Sequence, residues 1–266
     1  MRGLNADRSC PVSRKNAPSW KGSVMICSAS SKCWLVGGGL GPADYLTLKA
    51  VKLIQEADVL VYDDLGTQDA LQLAKEDCEK FYVGKRGGRE SIKQTQIDEL
   101  LVQACLKGSD RSIVRLKGGD PAVYSRATSE IAALTAAGIP YEFVPGISSV
   151  LAAPLLAGFP LTDVNVGSSF AVVSGHNVEG TNWQAFSDIP TLVILMAGKN
   201  LAVIAQKMAE VHRMWTKSTP VVVIRDAGLP NQREWRSTLQ NIAEETQGEQ
   251  LSPCIVIIGQ VAGLYC

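Results

Sequence analysis

The chain has 266 residues, 46% of them hydrophobic, with 26 basic and 26 acidic side chains. That length can bury a substantial core, while the even charge balance offers no general attraction for nucleic-acid phosphates, so an anionic ligand must be held by locally placed Arg and Lys. No apolar run approaches the roughly 20 residues needed to cross a bilayer, so no membrane partner is expected.

Residues 1–32 carry Arg2, Arg8, Arg14, Lys15, Lys21 and Lys32 among serines, with Asp7 as the only acid. This composition reads as an organellar transit peptide processed within Val24–Ala29, which points to a chloroplast or other plastid. The competing readings are a disordered extension and a cytoplasmic protein. Cys10, Cys27, Cys33, Cys78, Cys105, Cys254 and Cys266 form no C-x-x-C pair, and there are 2 histidines, so reduced structural thiols and no metal site are expected.

From Cys33 onward short β-branched runs alternate with helical patterns, the mark of β-α units around a mainly parallel sheet. The first predicted strand, Cys33–Val36, enters the glycine-rich turn Gly37-Gly38-Gly39-Leu40-Gly41-Pro42 and then a helix over Leu46–Ala57. Strands follow at Val59–Tyr62 and Phe81–Val83. A helix over Thr95–Lys107 carries Ile97, Leu100, Leu101, Ala104 and Cys105 at helical spacing. Strand Ser112–Leu116 then runs into Lys117-Gly118-Gly119-Asp120-Pro121, a helix covers Glu130–Ala137, and strand Tyr141–Val144 leads through Pro145-Gly146-Ile147-Ser148-Ser149 into an Ala-rich helix from Val150.

A second series begins after Pro160. It comprises strands Phe170–Ser174 and Thr191–Met196, helix Leu201–His212, and strands Val221–Arg225, Arg233–Leu239 and Cys254–Gly259. Two α/β lobes are therefore expected, over 33–163 and 164–266, and ligands of such folds sit in clefts at the carboxyl ends of strands.

Three strand-to-helix turns in the first lobe are candidate ligand loops. The first lacks the third glycine of a dinucleotide fingerprint, because Pro42 stands there, and it reads as a cofactor loop, a plain tight turn or a nicotinamide site. In the second, the Asp120 carboxylate suits a ligand bearing hydroxyls and a cationic amine, or else caps a helix before Pro121. In the third, Ser148 and Ser149 at a helix start read as caps or as ligand hydroxyls.

The motifs VGGGLGPADYLTLKA, VLVYDDL, VGKRGG, VRLKGGDP, AGIPYEFVPGISS and AGFPLT stand in the order and spacing of the S-adenosylmethionine (SAM)-dependent tetrapyrrole methylases, which the chain resembles from about Lys32 to its end. The resemblance implies an α/β fold of two lobes, with a mainly parallel first sheet, a mixed second sheet and the cofactor cleft between them. It places SAM, and the product S-adenosylhomocysteine, against Leu40, Gly118, Gly119, Asp120, Val123, Ser148, Ser149, Met196 and Ala227. Met196 on its own reads as a core methionine.

The same resemblance implies proton handling by Asp63 and Lys85. A carboxylate at a strand's end can take a proton, and a Lys beside the like charge of Arg86 gives one up more readily. As a solvated turn acid and a surface cation, these two have ordinary alternatives. Arg86, Arg89 and Arg126, with Arg115 and Lys117 nearby, form the expected carboxylate-binding group, some of them ordinary surface charges.

The implied activity is two methyl transfers to ring carbons of uroporphyrinogen III, giving precorrin-2 for sirohaem or cobalamin-type rings, by a homodimer. Leu40 stands where the family usually has Pro, Asp64 where Arg is common, AVYSRATSE where FIFGRGGEE is usual, and Asp163-Val164 where His-Arg is familiar. These departures bear on the substrate more than on the cofactor. Rival readings are a methylase of the same fold acting on a later precorrin or a protein, a nicotinamide-dependent oxidoreductase, and a non-catalytic tetrapyrrole sensor.

Overall fold

The computed structural model describes residues 31–67, 69–84, 92–211 and 213–264. Lys85, Arg86, Arg89, His212 and most of the leader lie outside them. The first sheet contains β1 (Lys32–Gly37), β2 (Val59–Tyr62), β3 (Glu79–Tyr82), β4 (Ser112–Lys117) and β5 (Tyr141–Val144) in the order β3-β2-β4-β1-β5. Every pairing is parallel. The strand pattern therefore begins at Lys32, inside the expected leader, because the Ser31 hydroxyl donates to the Gly108 carbonyl and accepts from the Arg111 amide, fastening the chain ahead of β1.

Both faces of this sheet are covered, as parallel sheets require. On one, Val59, Val61 and Ile113 pack with Ile97 and Leu101 of α3 (Gln94–Leu106) and Leu134 of α4 (Ala127–Ala136). On the other, Leu60, Val114 and Leu116 pack with Leu53 and Ile54 of α1 (Leu48–Glu56) and Ala70 of α2 (Ala70–Leu73). The Thr47 hydroxyl caps α1 by accepting from the Ala50 amide.

The second sheet holds β6 (Phe170–Ser174), β7 (Thr191–Leu195), β8 (Pro220–Arg225), β9 (Arg233–Thr238) and β10 (Cys254–Gly259) in the order β6-β7-β10-β8-β9. β6 and β7 are parallel and the remaining pairs antiparallel, so the sheet is mixed. Its outer face carries α6 (Leu201–Glu210), with Ile242 of α7 (Ile242–Glu245) in the same cluster. The other face is covered by α5 (Ser149–Leu156), whose Val150 and Ala153 pack on Val193, Val222 and Ile257. The helix that follows the first sheet thus seals the core of the second.

Candidate active site

The turns after β1, β2, β4 and β5 meet at distances that only glycine permits. A Cβ on Gly37 would lie 2.5 Å from Cα of Gly146, and one on Gly118 would lie 2.4 Å from the Leu65 carbonyl oxygen. The Gly38 amide donates to the Lys117 carbonyl at 2.7 Å, and Gly39 and Gly119 exchange hydrogen bonds of 3.2 and 2.8 Å as an antiparallel bridge. Gly119 has a φ of 69°, and a Cβ there would meet nothing within 4 Å, so its Cα faces open space and a ligand can lie directly on main chain.

Asp120 fastens this assembly. Its Oδ1 accepts the Ala122 amide at 2.7 Å and its Oδ2 accepts the Gly146 amide at 3.0 Å, tying the second loop to the third. It caps no helix, since the chain beyond Pro121 makes turns before α4 begins at Ala127. Each carboxylate oxygen keeps a further lone pair for a ligand. Ser148 is the N-cap of α5, accepting from the Val150 amide at 3.3 Å, and Ser149 opens the helix; both are half-buried.

Val123 and Ser148 line an open cavity of about 520 Å³ together with Ala122, Tyr124, Val150, Leu151 and, from the second sheet, Val172. That volume is within the usual range for a small-molecule site. Leu40 of the first loop meets the turn after β8, where a Cβ on Gly228 would lie 2.9 Å from Leu40 Cδ1, and Ala227 beside it packs on the same apolar cluster as Val123. Met196, at the end of β7, is 50% exposed, so the core reading does not hold.

Among the described residues, the non-glycine positions with positive φ are Asp110, Tyr124, Arg126, Met196 and Asp226, and all but the first lie on loops after β4, β7 and β8. Such strain of about 1–3 kcal/mol per residue gathers at functional sites. Arg126 is exposed and lines a second cavity of about 300 Å³ with Tyr124, Ser125 and Phe143.

Arg115 and Lys117 are not available to a ligand carboxylate, which corrects the expectation for those two residues. They share with Ile113 the face of β4 beneath α4, and each is 2% exposed. Glu130, in the first turn of α4 and fully buried, accepts Arg115 Nε at 2.9 Å and Lys117 Nζ at 2.7 and 2.8 Å. Arg115 Nη2 continues to Asp63 Oδ1 at 2.7 Å, so two cations and two carboxylates form one neutral network. Burial, and then the Arg115 charge, hold Lys117 below the ordinary lysine value.

Asp63 follows β2 with its carboxylate 31% exposed, so it is the one member of the network that reaches solvent appreciably. Its carbonyl accepts the Thr67 hydroxyl, which bends the loop around it. Sequence reasoning missed Glu130, whose signal was an acid in the first turn of an Ala-rich helix, and Gly66, whose φ of 70° and approach to the Gly39 carbonyl complete the glycine cradle.

A parallel sheet and a mixed sheet whose loops meet across an apolar cavity define a two-lobed α/β ligand-binding protein. The chain belongs to the tetrapyrrole (corrin/porphyrin) methylases, whose family model matches residues 32–243. The uroporphyrinogen-III C-methyltransferase of Synechococcus elongatus is 42% identical over 235 residues, covering 88% of this chain and 95% of that protein. The enzyme of that name from Methanocaldococcus jannaschii is 40% identical over 240 residues, covering 88% and 98%. A crystal structure of uroporphyrin-III C-methyl transferase from Thermus thermophilus complexed with S-adenyl homocysteine matches with a TM-score of 0.76 at 35% identity, over 88% of this chain and 100% of that one.

Proposed function

We propose that the protein methylates uroporphyrinogen III twice at ring carbons with SAM, giving precorrin-2 for sirohaem or cobalamin-type rings. The observation that carries this reading is the main-chain cradle of Gly37, Gly118, Gly119 and Gly146, fastened by Asp120 and opening toward the second sheet's loops. It is supported by the curated relatives above, which bear the name of this activity. When bound, SAM supplies a methyl group made electrophilic by its sulfonium.

The residues that would hold SAM are Leu40, Gly118, Gly119, Asp120, Val123, Ser148 and Ser149 from the first sheet's side and Met196 and Ala227 from the second. Asp120 and the two serines offer polar atoms for hydroxyl and ammonium groups, and Val123 supplies apolar wall. Arg126, with Arg86 and Arg89, would take substrate carboxylates. Little acid-base force is needed while the new carbon–carbon bond forms, so alignment in a water-poor cleft is the main contribution.

The proton that must then leave the macrocycle goes to Asp63. Its Oδ1 is held by Arg115, which leaves Oδ2 to receive the proton, with Lys85 as the acid partner. Calorimetric titration with S-adenosylhomocysteine followed by an assay on uroporphyrinogen III tests the reading. Binding with turnover is expected, and a folded protein that binds reduced nicotinamide but not S-adenosylhomocysteine would overturn it.

A homodimer is proposed on the exposed apolar residues of neighbouring segments: Tyr141 and Phe143 on edge strand β5, Leu151 and Leu155 on α5, and Phe170 on edge strand β6. Concentrated apolar surface on two sheet edges is the kind that a two-fold copy covers. Plastid targeting is proposed on the basic, acid-poor composition of the leader. A fluorescent reporter fused to Met1–Ser31 should enter plastids of plant or algal cells, and a purely cytosolic signal would count against it.

A further inference from the structure

Glu130 takes no part in the reading above, yet it is fully buried and every polar contact it makes is with a cation. Arg115 uses its guanidinium as a bracket. Nε goes to Glu130, Nη1 donates to the Leu116 carbonyl at 2.9 Å, and Nη2 reaches Asp63. The neighbouring donors Nε and Nη2 thus go to two different carboxylates, while Nη1 is tied to main chain. Because the guanidinium is planar and rigid, the bonds to Glu130 and to main chain fix the direction of the bond to Asp63.

We propose that Glu130 is a positioning residue for the methyl-transfer reaction, acting through Arg115 to set the orientation of the Asp63 carboxylate. The inference rests on the reading of Asp63 as the proton acceptor. The Glu130–Arg115 bond holds the guanidinium that occupies Asp63 Oδ1, which leaves Oδ2 to the departing proton. The Glu130 charge also offsets the two buried cations, so the network as a whole is neutral. The charged groups facing Asp63 in this arrangement are Arg115 directly and Lys117 and Glu130 behind it, with Asp64 as its chain neighbour.

Replacing a Glu130 oxygen by an amide should loosen the Arg115 guanidinium and let the Asp63 carboxylate turn. In the full-length protein, Glu130→Gln should therefore keep S-adenosylhomocysteine affinity within about threefold while lowering kcat on uroporphyrinogen III by about tenfold or more. Glu130→Asp, which restores the charge on a shorter arm, should recover only part of kcat. Arg115→Lys keeps a cation that cannot bridge both carboxylates, and should lower kcat with cofactor affinity retained.

The proposal fails if a folded Glu130→Gln keeps wild-type kcat. It fails equally, whatever the folding of Glu130→Gln, if Arg115→Lys or Glu130→Asp turns over at the wild-type rate. Asp63→Asn separates this from the underlying reading. If that variant keeps near-normal turnover, Asp63 is not the acceptor and both fall; if it is slow while the Glu130 and Arg115 variants are normal, only the positioning role is lost.

Discussion

Asp120 is placed where one carboxylate serves two ends. Both of its oxygens accept main-chain amides, from Ala122 within its own turn and from Gly146 on the next loop, so the side chain is part of the scaffold before any ligand arrives. Asp120→Ala should weaken S-adenosylhomocysteine binding by about 1.5–3 kcal/mol, the usual value of a hydrogen bond involving a charged group, and should also lower the melting temperature because two amides lose their acceptor. A variant with unchanged affinity in calorimetry, properly folded by circular dichroism, would take Asp120 out of the binding site and leave it as a loop clasp alone. Asp63 differs in kind, because its partner is a buried cation; under the proposed reading its substitution should slow turnover and spare cofactor affinity.

At the scale of elements, the start of β4 is tied to the turn between α1 and β2 by Asp58, whose carboxylate accepts the Lys75 ammonium at 2.6 Å and the Ser112 amide at 2.8 Å. The Lys75 bond, followed by the Ser112 amide, depresses its pKa below the ordinary carboxylate value. A depressed folded-state pKa gives stability that is complete above the unfolded value of about 3.9 and is lost as pH falls through the lower folded one. Asp58→Asn should cost about 1 kcal/mol at pH 7 in urea unfolding, with the difference from wild type shrinking below about pH 4. A difference that stays constant to pH 2 would show that the charge is not responsible.

Helix α5 makes the second claim at this scale, since Val150 and Ala153 face the second sheet while Leu151 and Leu155 face outward. Paired substitution Leu151→Lys and Leu155→Glu should convert the proposed dimer into a monomer in sedimentation experiments without changing the circular dichroism spectrum; an unchanged sedimentation coefficient would place the dimer contact elsewhere.

Most elements were legible because a β-branched run between glycine-rich turns has few alternatives: the strands at Val59–Tyr62, Tyr141–Val144, Phe170–Ser174 and Cys254–Gly259 fall where the pattern puts them. Helix α4 begins at Ala127 and not at Glu130, because Thr128 and Ser129 look like loop residues until Ser129 is seen hydrogen-bonding to Asp98 of α3. The short helices α2 and α7, with only one turn each, carry too little periodicity to be read. Arg115 and Lys117 were misjudged for a related reason. Their partner Glu130 lies on the next helix, and no local pattern distinguishes a cation that faces a ligand from one sealed under α4 by an acid.

For the molecule as a whole, the decisive packing is that of α5, Phe159 and Leu161, which follow the first sheet in sequence but belong to the core that covers the second. The second sheet therefore has no complete hydrophobic cover without the helix that continues directly from the first. Calorimetric unfolding should therefore show a single cooperative transition, and S-adenosylhomocysteine at about 100 times its dissociation constant should raise stability by about 2.7 kcal/mol and move that whole transition up by roughly 5–10 °C. Two separated transitions, of which the ligand moves only one, would contradict the shared core.

The glycine cradle divides what evolution can alter from what it cannot. Its contacts are peptide against peptide, with Gly37, Gly118 and Gly146 each within 2.6 Å of a neighbouring backbone atom once any Cβ is added, so a side chain at any of the three would force the loops apart. The cavity wall is the reverse: Val123, Val150 and Leu151 meet the open space through their side chains. A methyl donor can thus be inherited unaltered while the acceptor is renegotiated one wall residue at a time, which makes a scaffold of this kind a ready starting point for addressing new macrocycles.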